Sequence, residues 1–223
     1  MSKYMSLDLE TTGLEDDALI IELGFVPVNT KTKEIREDLS YHCYLKCPSF
    51  EELEPNLNDF VKKHNKGLIE KAHEEGISKE QFLKEFDEYM NSPEIKGFYG
   101  EDDIKIMGKS LTALDMPLLQ RDFGRNDFLR KYFHHRVQDV SCSSSLAVDL
   151  QLLPEGCESS HKLAKFFKLG DDVAHTAISD SVDVAKMYMG IVELQEKKKK
   201  FVTALVASAF CLGWILSGIV NSL

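Results

Sequence analysis

Residues 7–14 read LDLETTGL, and this stretch decides how the N-terminal part of the chain folds. In a β-strand, successive side chains point to opposite faces, so Leu7 and Leu9 enter the core while Asp8 and Glu10 share the other face. Two neighbouring carboxylates repel each other unless cations lie between them. A lone D-x-E pattern is more often a solvated strand face, so other acidic residues must decide between a metal site and a bare surface.

Apolar runs around this stretch predict the rest of a sheet. Runs at 18–28 (ALIIELGFVPV) and 39–45 (LSYHCYL) predict two strands that follow the first, at 4–9, in an antiparallel meander. Later segments alternate between the two element types, with strands predicted at 105–108 and 136–140 and helices at 51–65, 78–91, 114–123, 161–167 and 176–196. Strands first and alternating elements later predict a mixed sheet in the α/β class.

The bulk composition limits the possible classes of protein. A length of 223 residues with 43% hydrophobic residues is enough for one sizeable core. The net charge of −10 argues against a protein that coats nucleic acid through bulk positive charge, although bound divalent cations can supply positive charge locally. The five cysteines include no C-x-x-C pair, which predicts a reducing compartment rather than a disulfide framework.

Two later segments carry further candidates for chemistry. Residues 108–119 (GKSLTALDMPLL) place Asp115 at the start of an amphipathic helix, where a carboxylate is also favoured by the helix dipole alone. Residues 175–180 (HTAISD) place His175 in the lead-in to a helix and Asp180 in its first turns. A neutral histidine beside a water molecule is a suitable general base, because its ordinary pKa lies near neutral pH. Taken alone, His175 is more typical of a surface loop.

In chain order, LDLETTGL, GKSLTALD and HTAISD resemble the three motifs of the DEDDh exonucleases. This family includes the proofreading subunit of bacterial replicases, oligoribonuclease, RNase T and the three-prime repair exonucleases. The resemblance covers roughly residues 3–195 and implies an RNase H-like fold, with a five-stranded mixed sheet flanked by helices. It also implies a 3′-to-5′ exonuclease that removes nucleoside 5′-monophosphates from single-stranded DNA or RNA.

Carried over by position, the resemblance implies a role for each motif residue. The implied metal ligands are Asp8, Glu10, Asp115 and Asp180, and His175 is the implied general base. Carboxylate oxygens suit two divalent ions of the Mg²⁺ or Mn²⁺ type, which together can activate water and stabilise the leaving oxygen. The implied substrate-binding residues are Thr11, Thr12, Leu14 and Ser110. Ser110 and Leu114 replace the family's Asn and Phe, which predicts a different cleft shape, and Asp139 is predicted to have a structural role near the site.

The C-terminal segment predicts a membrane anchor. Residues 201–220 (FVTALVASAFCLGWILSGIV) are twenty residues without a charge, enough as a helix to span about 30 Å of hydrocarbon. The four lysines at 197–200 favour a cytoplasmic N-terminal domain. The predicted organisation is an exonuclease domain at 1–196, a basic linker at 197–200 and a single-pass tail anchor at 201–220. The alternative is a buried or oligomerisation helix. Small residues spaced by four, at Ala204 and Ser208 and at Ala209 and Gly213, allow two such helices to pack closely as a homodimer.

Two other functions remain open from the sequence. A membrane adaptor or nucleic-acid-binding module that keeps the exonuclease fold is one, although all five implied catalytic positions carry competent side chains. A proofreading or repair accessory subunit is the other. Basic residues at 62–71 and 121–136 either guide a nucleic-acid strand or form solvated faces. The sequence leaves the choice between DNA and RNA open.

Overall fold

The computed structural model describes residues 3–15, 17–169 and 176–220, with side chains up to residue 204. A mixed sheet forms the centre of the fold. Strand β1 (Lys3–Thr11) lies between β2 (Ile20–Asn29), which is antiparallel to it, and β5 (Lys105–Gly108), which is parallel. The remaining strands are β3 (Glu34–Ile35) and β4 (Tyr41–Tyr44), both paired with β2, and β6 (Gln138–Asp139), paired with β5.

The predicted meander is confirmed, because β1, β2 and β4 pair in antiparallel order. The described residues form six strands, one more than the five that the resemblance implied. The additional strand, β3, is two residues long and follows a tight turn after β2. In that turn the Asn29 side chain accepts hydrogen bonds from the backbone amides of Lys31 and Thr32. A turn of this kind depends on local side-chain hydrogen bonds, which strand periodicity does not report.

Helices cover both faces of the sheet. In chain order they are α1 (Phe50–Leu53), α2 (Asp59–His64), α3 (Lys66–Glu75), α4 (Lys79–Met90), α5 (Pro93–Tyr99), α6 (Asp115–Phe123), α7 (Arg130–Tyr132), α8 (Val140–Asp149), α9 (Ser160–Phe166) and α10 (Ala177–Val220). Short 3-10 turns lie at Glu37–Leu39 and Glu54–Asn56, and a π-helical turn lies at Arg125–Leu129.

The predicted helix at 51–65 is broken into α1, a 3-10 turn and α2. Ser49 and Glu52 form a reciprocal capping box at the start of α1, and Pro55 falls in the turn that follows. Asn58 then begins α2 anew by accepting a hydrogen bond from the amide of Val61. By contrast, the helix predicted at 78–91 is confirmed as α4. Local caps therefore override the helical periodicity of the longer segment.

Each face of the sheet has its own core. On one face Leu7 and Phe25 are fully buried, and the ring of Phe25 lies 4.6 Å from that of Phe86 on α4. On the other face Met107 and Val28 pack against α10 and α8. Full burial of such a side chain stabilises the fold by roughly 1.5–3 kcal/mol. The second face is also the one that carries the side chains of Asp8 and Glu10.

Helix α10 continues through the predicted linker at 197–200 without a break. Within the part of the chain that the structure describes, no helix includes a stretch long and apolar enough to cross a bilayer. The predicted membrane segment at 201–220 falls mostly on residues 205–220, whose side chains lie outside the described part.

Candidate active site

Three of the predicted acidic residues meet at one point between the sheet and α10. Asp8 and Glu10 project from β1, and Asp180 lies in the first turn of α10. One carboxylate oxygen from each lies within 4.8 Å of the other two, a spacing at which three ligands can share a cation. His175, the predicted general base, lies outside the described residues.

The start of α10 is held against the sheet by buried hydroxyl groups. The hydroxyl of Ser181 lies 3.0 Å from the carbonyl oxygen of Gly24 and 2.7 Å from that of Ala177, so its one proton is shared between the two acceptors. The hydroxyl of Ser6 donates to the carbonyl oxygen of Ser181 at 2.7 Å. Because Ser181 follows Asp180 directly, these hydrogen bonds fix where the Asp180 carboxylate enters the site.

Asp115 approaches the same site from α6. It begins that helix, is only 7% exposed, and its charge acts on both Asp8 and Glu10. Its oxygens are not part of the set in which every ligand atom lies within 4.8 Å of the others. The structure therefore brings Asp115 to the edge of the carboxylate cluster rather than to its centre.

Asp139 holds the loop that leads to Asp115. Its carboxylate accepts hydrogen bonds from the backbone amides of Ser110 at 3.1 Å, Thr112 at 3.2 Å and Ser141 at 2.9 Å, and from the Thr112 hydroxyl at 3.1 Å. This one side chain therefore caps α8 and fixes the turn between β5 and α6. The arrangement agrees with the structural role predicted for Asp139.

Burial and mutual repulsion raise the pKa values of the clustered carboxyl groups. The pKa of Asp8 lies well above its ordinary value, first because the group is buried and then because of the charges of Asp115, Asp180, Glu10 and Glu22. Burial, followed by the charges of Asp139 and Glu10, raises the pKa of Asp115 to about 7. A cation among these oxygens would favour their ionised forms and remove the repulsion. The donor set therefore fits a hard divalent cation.

Glu22 is a further acidic residue beside the cluster, and the sequence pattern did not predict it. It lies on β2 directly opposite Glu10, its side chain is 0% exposed, and its Oε1 lies 2.5 Å from Nε2 of His42 on β4. The one available signal was that Glu22 is the single charged residue in the apolar run 18–28. Only the register of three strands shows that this charge lies beside the cluster.

A cleft of about 850 Å³ opens next to Glu10. Its walls include Leu14 and Phe60, which are 76% and 68% exposed, and the Phe60 ring lies 4.5 Å from the ring of His64. The Asn65 side chain, also in the wall, donates to the carbonyl oxygen of Thr11 at 3.1 Å. Exposed rings beside polar groups are suited to stacking a nucleobase.

Two of the four predicted substrate-binding residues line this cleft, Thr11 and Leu14. Thr12 instead has a buried side chain, and its hydroxyl accepts a hydrogen bond from the backbone amide of Leu19 at 2.8 Å. Ser110 lies on the loop held by Asp139 and makes a 3.0 Å hydrogen bond to the Ser141 hydroxyl. Neither Thr12 nor Ser110 is among the residues that line the cleft.

The predicted basic groups are partly neutralised by ion pairs. Lys131 pairs with Asp87 at 2.7 Å, and Arg121 pairs with Asp122 at 2.8 Å. Around His134 and His135, basic residues line a separate cleft of about 570 Å³ at the start of β5. The carboxylate cluster lies near the other end of the strands, so these side chains do not face it.

No protein-family model and no curated protein matches this sequence, whereas solved structures match its fold. Cell-death related nuclease 4 (CRN-4) has a TM-score of 0.64 at 16% identity, over 87% of this chain and 64% of that one. The nuclease domain of 3′hExo, a DEDDh family member bound to rAMP, has a TM-score of 0.61 at 16% identity, over 86% of this chain and 92% of that one.

E. coli Exonuclease I in complex with a dT13 oligonucleotide has a TM-score of 0.61 at 14% identity. The match covers 91% of this chain and 44% of that one, so this chain spans less than half of that enzyme's length. At such low identity the likeness concerns the fold. The described residues therefore have a fold that is similar to those of several exonucleases, including a DEDDh family member.

Proposed function

We propose that this chain is a metal-dependent 3′-to-5′ exonuclease that removes nucleoside 5′-monophosphates from single-stranded DNA or RNA. One observation carries the proposal, namely that Asp8 and Glu10 from β1 and Asp180 from α10 converge in one cluster. The cluster lies in a fold similar to that of exonucleases, one of which was solved with rAMP and another with an oligonucleotide.

In this proposal four carboxylates, including Asp115, hold two divalent cations of the Mg²⁺ or Mn²⁺ type. When bound, such cations lower the pKa of a coordinated water and offset negative charge on the phosphodiester. Asp8 and Glu10 are fixed by the pleat of β1, and Asp180 is fixed through Ser181. The protein therefore supplies a rigid set of oxygens.

His175 is the proposed general base, which takes the proton of the attacking water as the 3′ oxygen leaves. The next residue in the chain, Thr176, lines the cleft beside Glu10. Phe60 is proposed to hold the terminal base by stacking and Leu14 by apolar contact, with Thr11 beside its sugar. Both single-stranded DNA and single-stranded RNA are proposed substrates.

The test uses the full-length protein with 5′-labelled single-stranded DNA and RNA, Mg²⁺ or Mn²⁺, and a chelator control. We expect stepwise shortening from the 3′ end that requires metal and is lost in Asp180→Asn and His175→Ala. Lys165→Ala, an exposed change on α9, is the control for substitution as such and should retain activity, whereas loss of activity in the other two variants excludes a contaminating nuclease. Cleavage that survives in Asp180→Asn contradicts the proposal, and absence of cleavage in the wild type favours an adaptor that keeps the fold.

We further propose that residues 201–220 anchor the protein in a membrane, with the exonuclease domain at 1–196 facing the cytoplasm. The proposal is supported by twenty uncharged residues after four lysines. The test is extraction of membranes with alkaline carbonate, followed by protease treatment of sealed vesicles. We expect the wild type to resist extraction and to lose its N-terminal domain to protease, and a chain truncated after 200 to be extracted. Equal extraction of both proteins contradicts an anchor. The homodimer is a separate proposal, which is tested by measuring the mass of the protein in detergent by analytical ultracentrifugation.

A further inference from the structure

Glu22 is a buried carboxylate with an incomplete set of hydrogen bonds. Its Oε1 lies 2.5 Å from Nε2 of His42, at hydrogen-bond distance. Its Oε2 is also buried, and no hydrogen-bond partner lies near it among the described residues. A buried acceptor without a partner costs free energy, so a fold that keeps one requires an explanation.

The position of Glu22 relates it to the carboxylate cluster. Glu22 and Glu10 are direct partners in the antiparallel pair of β1 and β2, so their side chains lie on the same face of the sheet and within about 5.5 Å at Cβ. The next pair along that face joins Asp8 to Gly24, which has no side chain to separate Glu22 from Asp8. The charge of Glu22 is near enough to raise the pKa of Asp8.

Glu22 lies outside the compact set of oxygens, and one of its own oxygens is already bound by His42. The oxygens that lie within 4.8 Å of one another belong to Asp8, Glu10 and Asp180, and Glu22 is outside that set. A carboxylate one layer behind a metal site acts by accepting hydrogen bonds from the groups that bind the metal. A water coordinated to the cation is such a group, and an acceptor with no other partner suits it.

We propose that Glu22, oriented by His42, is a positioning residue that accepts a hydrogen bond at Oε2 from a water bound to the cation. The inference rests on the proposed exonuclease function. Glu22 thereby adds negative charge behind the cluster without occupying a ligand position. His42 fixes the carboxylate by binding its other oxygen, and its own side chain is 35% exposed at the edge of the site.

A purely structural role makes a different prediction. In that case the Glu22–His42 pair only joins β2 to β4, and its loss lowers stability without changing the affinity for metal. In a positioning role, Glu22→Gln removes an unsatisfied buried charge, so the metal-free protein keeps or gains stability. Affinity for the cation falls at the same time. A structural role therefore predicts lower stability with an unchanged affinity for the cation, whereas a positioning role predicts unchanged or higher stability with a lower affinity.

The experiment measures Mn²⁺ binding to the full-length protein by calorimetry, together with thermal unfolding in chelator and in Mn²⁺. We expect Glu22→Gln to raise the Mn²⁺ Kd about tenfold, the usual effect of removing such a partner, with an unchanged or higher Tm in chelator. Glu85→Gln is the matched control, because Glu85 contacts Tyr41, which points to the opposite face of β4 from His42. That variant should bind Mn²⁺ as the wild type does.

A wild-type Kd in Glu22→Gln, with or without a lower Tm, overturns the role of Glu22. Failure of the wild type itself to bind Mn²⁺ overturns the proposed metal site as a whole, so the two failures are distinguishable. If Glu22→Gln does not fold, His42→Asn replaces it, because His42 is partly exposed and its loss frees Oε1. We expect a higher Mn²⁺ Kd in His42→Asn, and an unchanged value again overturns the proposal.

Discussion

Gly24 of β2 lies in direct contact with the backbone of Ala177 at the start of α10. A methyl group at Gly24 would overlap the carbonyl carbon of Ala177 and lie 2.7 Å from the amide nitrogen of Ile178. These are backbone atoms, so they cannot move aside as a flexible side chain does. This contact therefore fixes the distance between β2 and the start of α10, the helix that carries Asp180.

Gly24→Ala is expected to displace the first turn of α10 and weaken the metal site. Overpacking of this kind costs about 1–3 kcal/mol, and the displaced Asp180 should bind cation less well. The measurements are urea unfolding and the rise in Tm caused by Mn²⁺. Gly97→Ala is the control, because a methyl group there meets no atom within 4 Å and a helical alanine is favoured. A Gly24→Ala protein with wild-type stability and Mn²⁺ response contradicts this account of the contact.

The raised pKa of Asp115 predicts how the metal-free protein responds to pH. Because that pKa rises from 3.8 to about 7 on folding, the unfolded chain loses its proton first. Stability in chelator should therefore fall as the pH rises from about 4 to about 7, by up to roughly 4 kcal/mol from this group. Added Mg²⁺ should reverse the trend, since the cation favours ionised carboxylates.

Asp115→Asn is expected to remove much of that pH dependence and to raise stability in chelator at pH 8. The same change should reduce stabilisation by Mg²⁺, because a ligand charge is lost. Chemical unfolding at pH 5 and pH 8, with chelator or Mg²⁺, measures both effects. Asp149→Asn, an exposed change at the end of α8, should leave the pH profile unaltered. An unchanged profile in Asp115→Asn would show that another group causes the effect.

The sequence predicted those parts of the site that depend on local periodicity. The two-residue spacing of Asp8 and Glu10 was enough to place both carboxylates on one face of a strand. Asp180 was likewise placed correctly in the first turns of a helix. The pair of Glu22 and His42 was not predictable in this way, since it requires the register of β1, β2 and β4 together.

Other differences have equally local causes. Helix α3 was missed because its apolar pattern is short, with only Ile69 and Ala72 buried along it. The segment at 51–65 has helical periodicity, but Pro55 and the cap at Asn58 divide it. Phe60 lies on α2, which begins after that division, and its side chain lines the cleft.

The exposed side chains of the cleft are expected to bind the terminal bases. Phe60→Ala should raise the KM for single-stranded DNA, because stacking of a base on an aromatic ring contributes about 1–3 kcal/mol. Leu14→Ala should raise the KM less, because leucine offers only an apolar contact. Since both side chains are exposed, neither change should lower Tm. Steady-state kinetics on oligonucleotides of one length measure the effect. Phe166→Ala, an exposed phenylalanine outside the cleft, is the control. Equal KM values for Phe60→Ala and Phe166→Ala would exclude stacking on Phe60.

Asp139 is expected both to stabilise α8, as its N-cap, and to hold the loop that positions Asp115. Asp139→Ala removes both the helix cap and the acceptor for Ser110 and Thr112, which should cost about 2–4 kcal/mol. Asp139→Ser can still cap α8 but is too short to hold the loop. We therefore expect Asp139→Ser to recover part of the stability while its Mn²⁺ affinity stays as low as that of Asp139→Ala.

Urea unfolding and Mn²⁺ calorimetry on the two variants separate the cap from the loop. Ser145→Ala is the control, since its hydroxyl bonds only within α8, to the carbonyl oxygen of Ser141. If Asp139→Ser restores stability and Mn²⁺ affinity together, the cap alone positions α6 and the loop contacts are unimportant. If stability returns and affinity does not, the hydrogen bonds to the loop hold Asp115 at the edge of the carboxylate cluster.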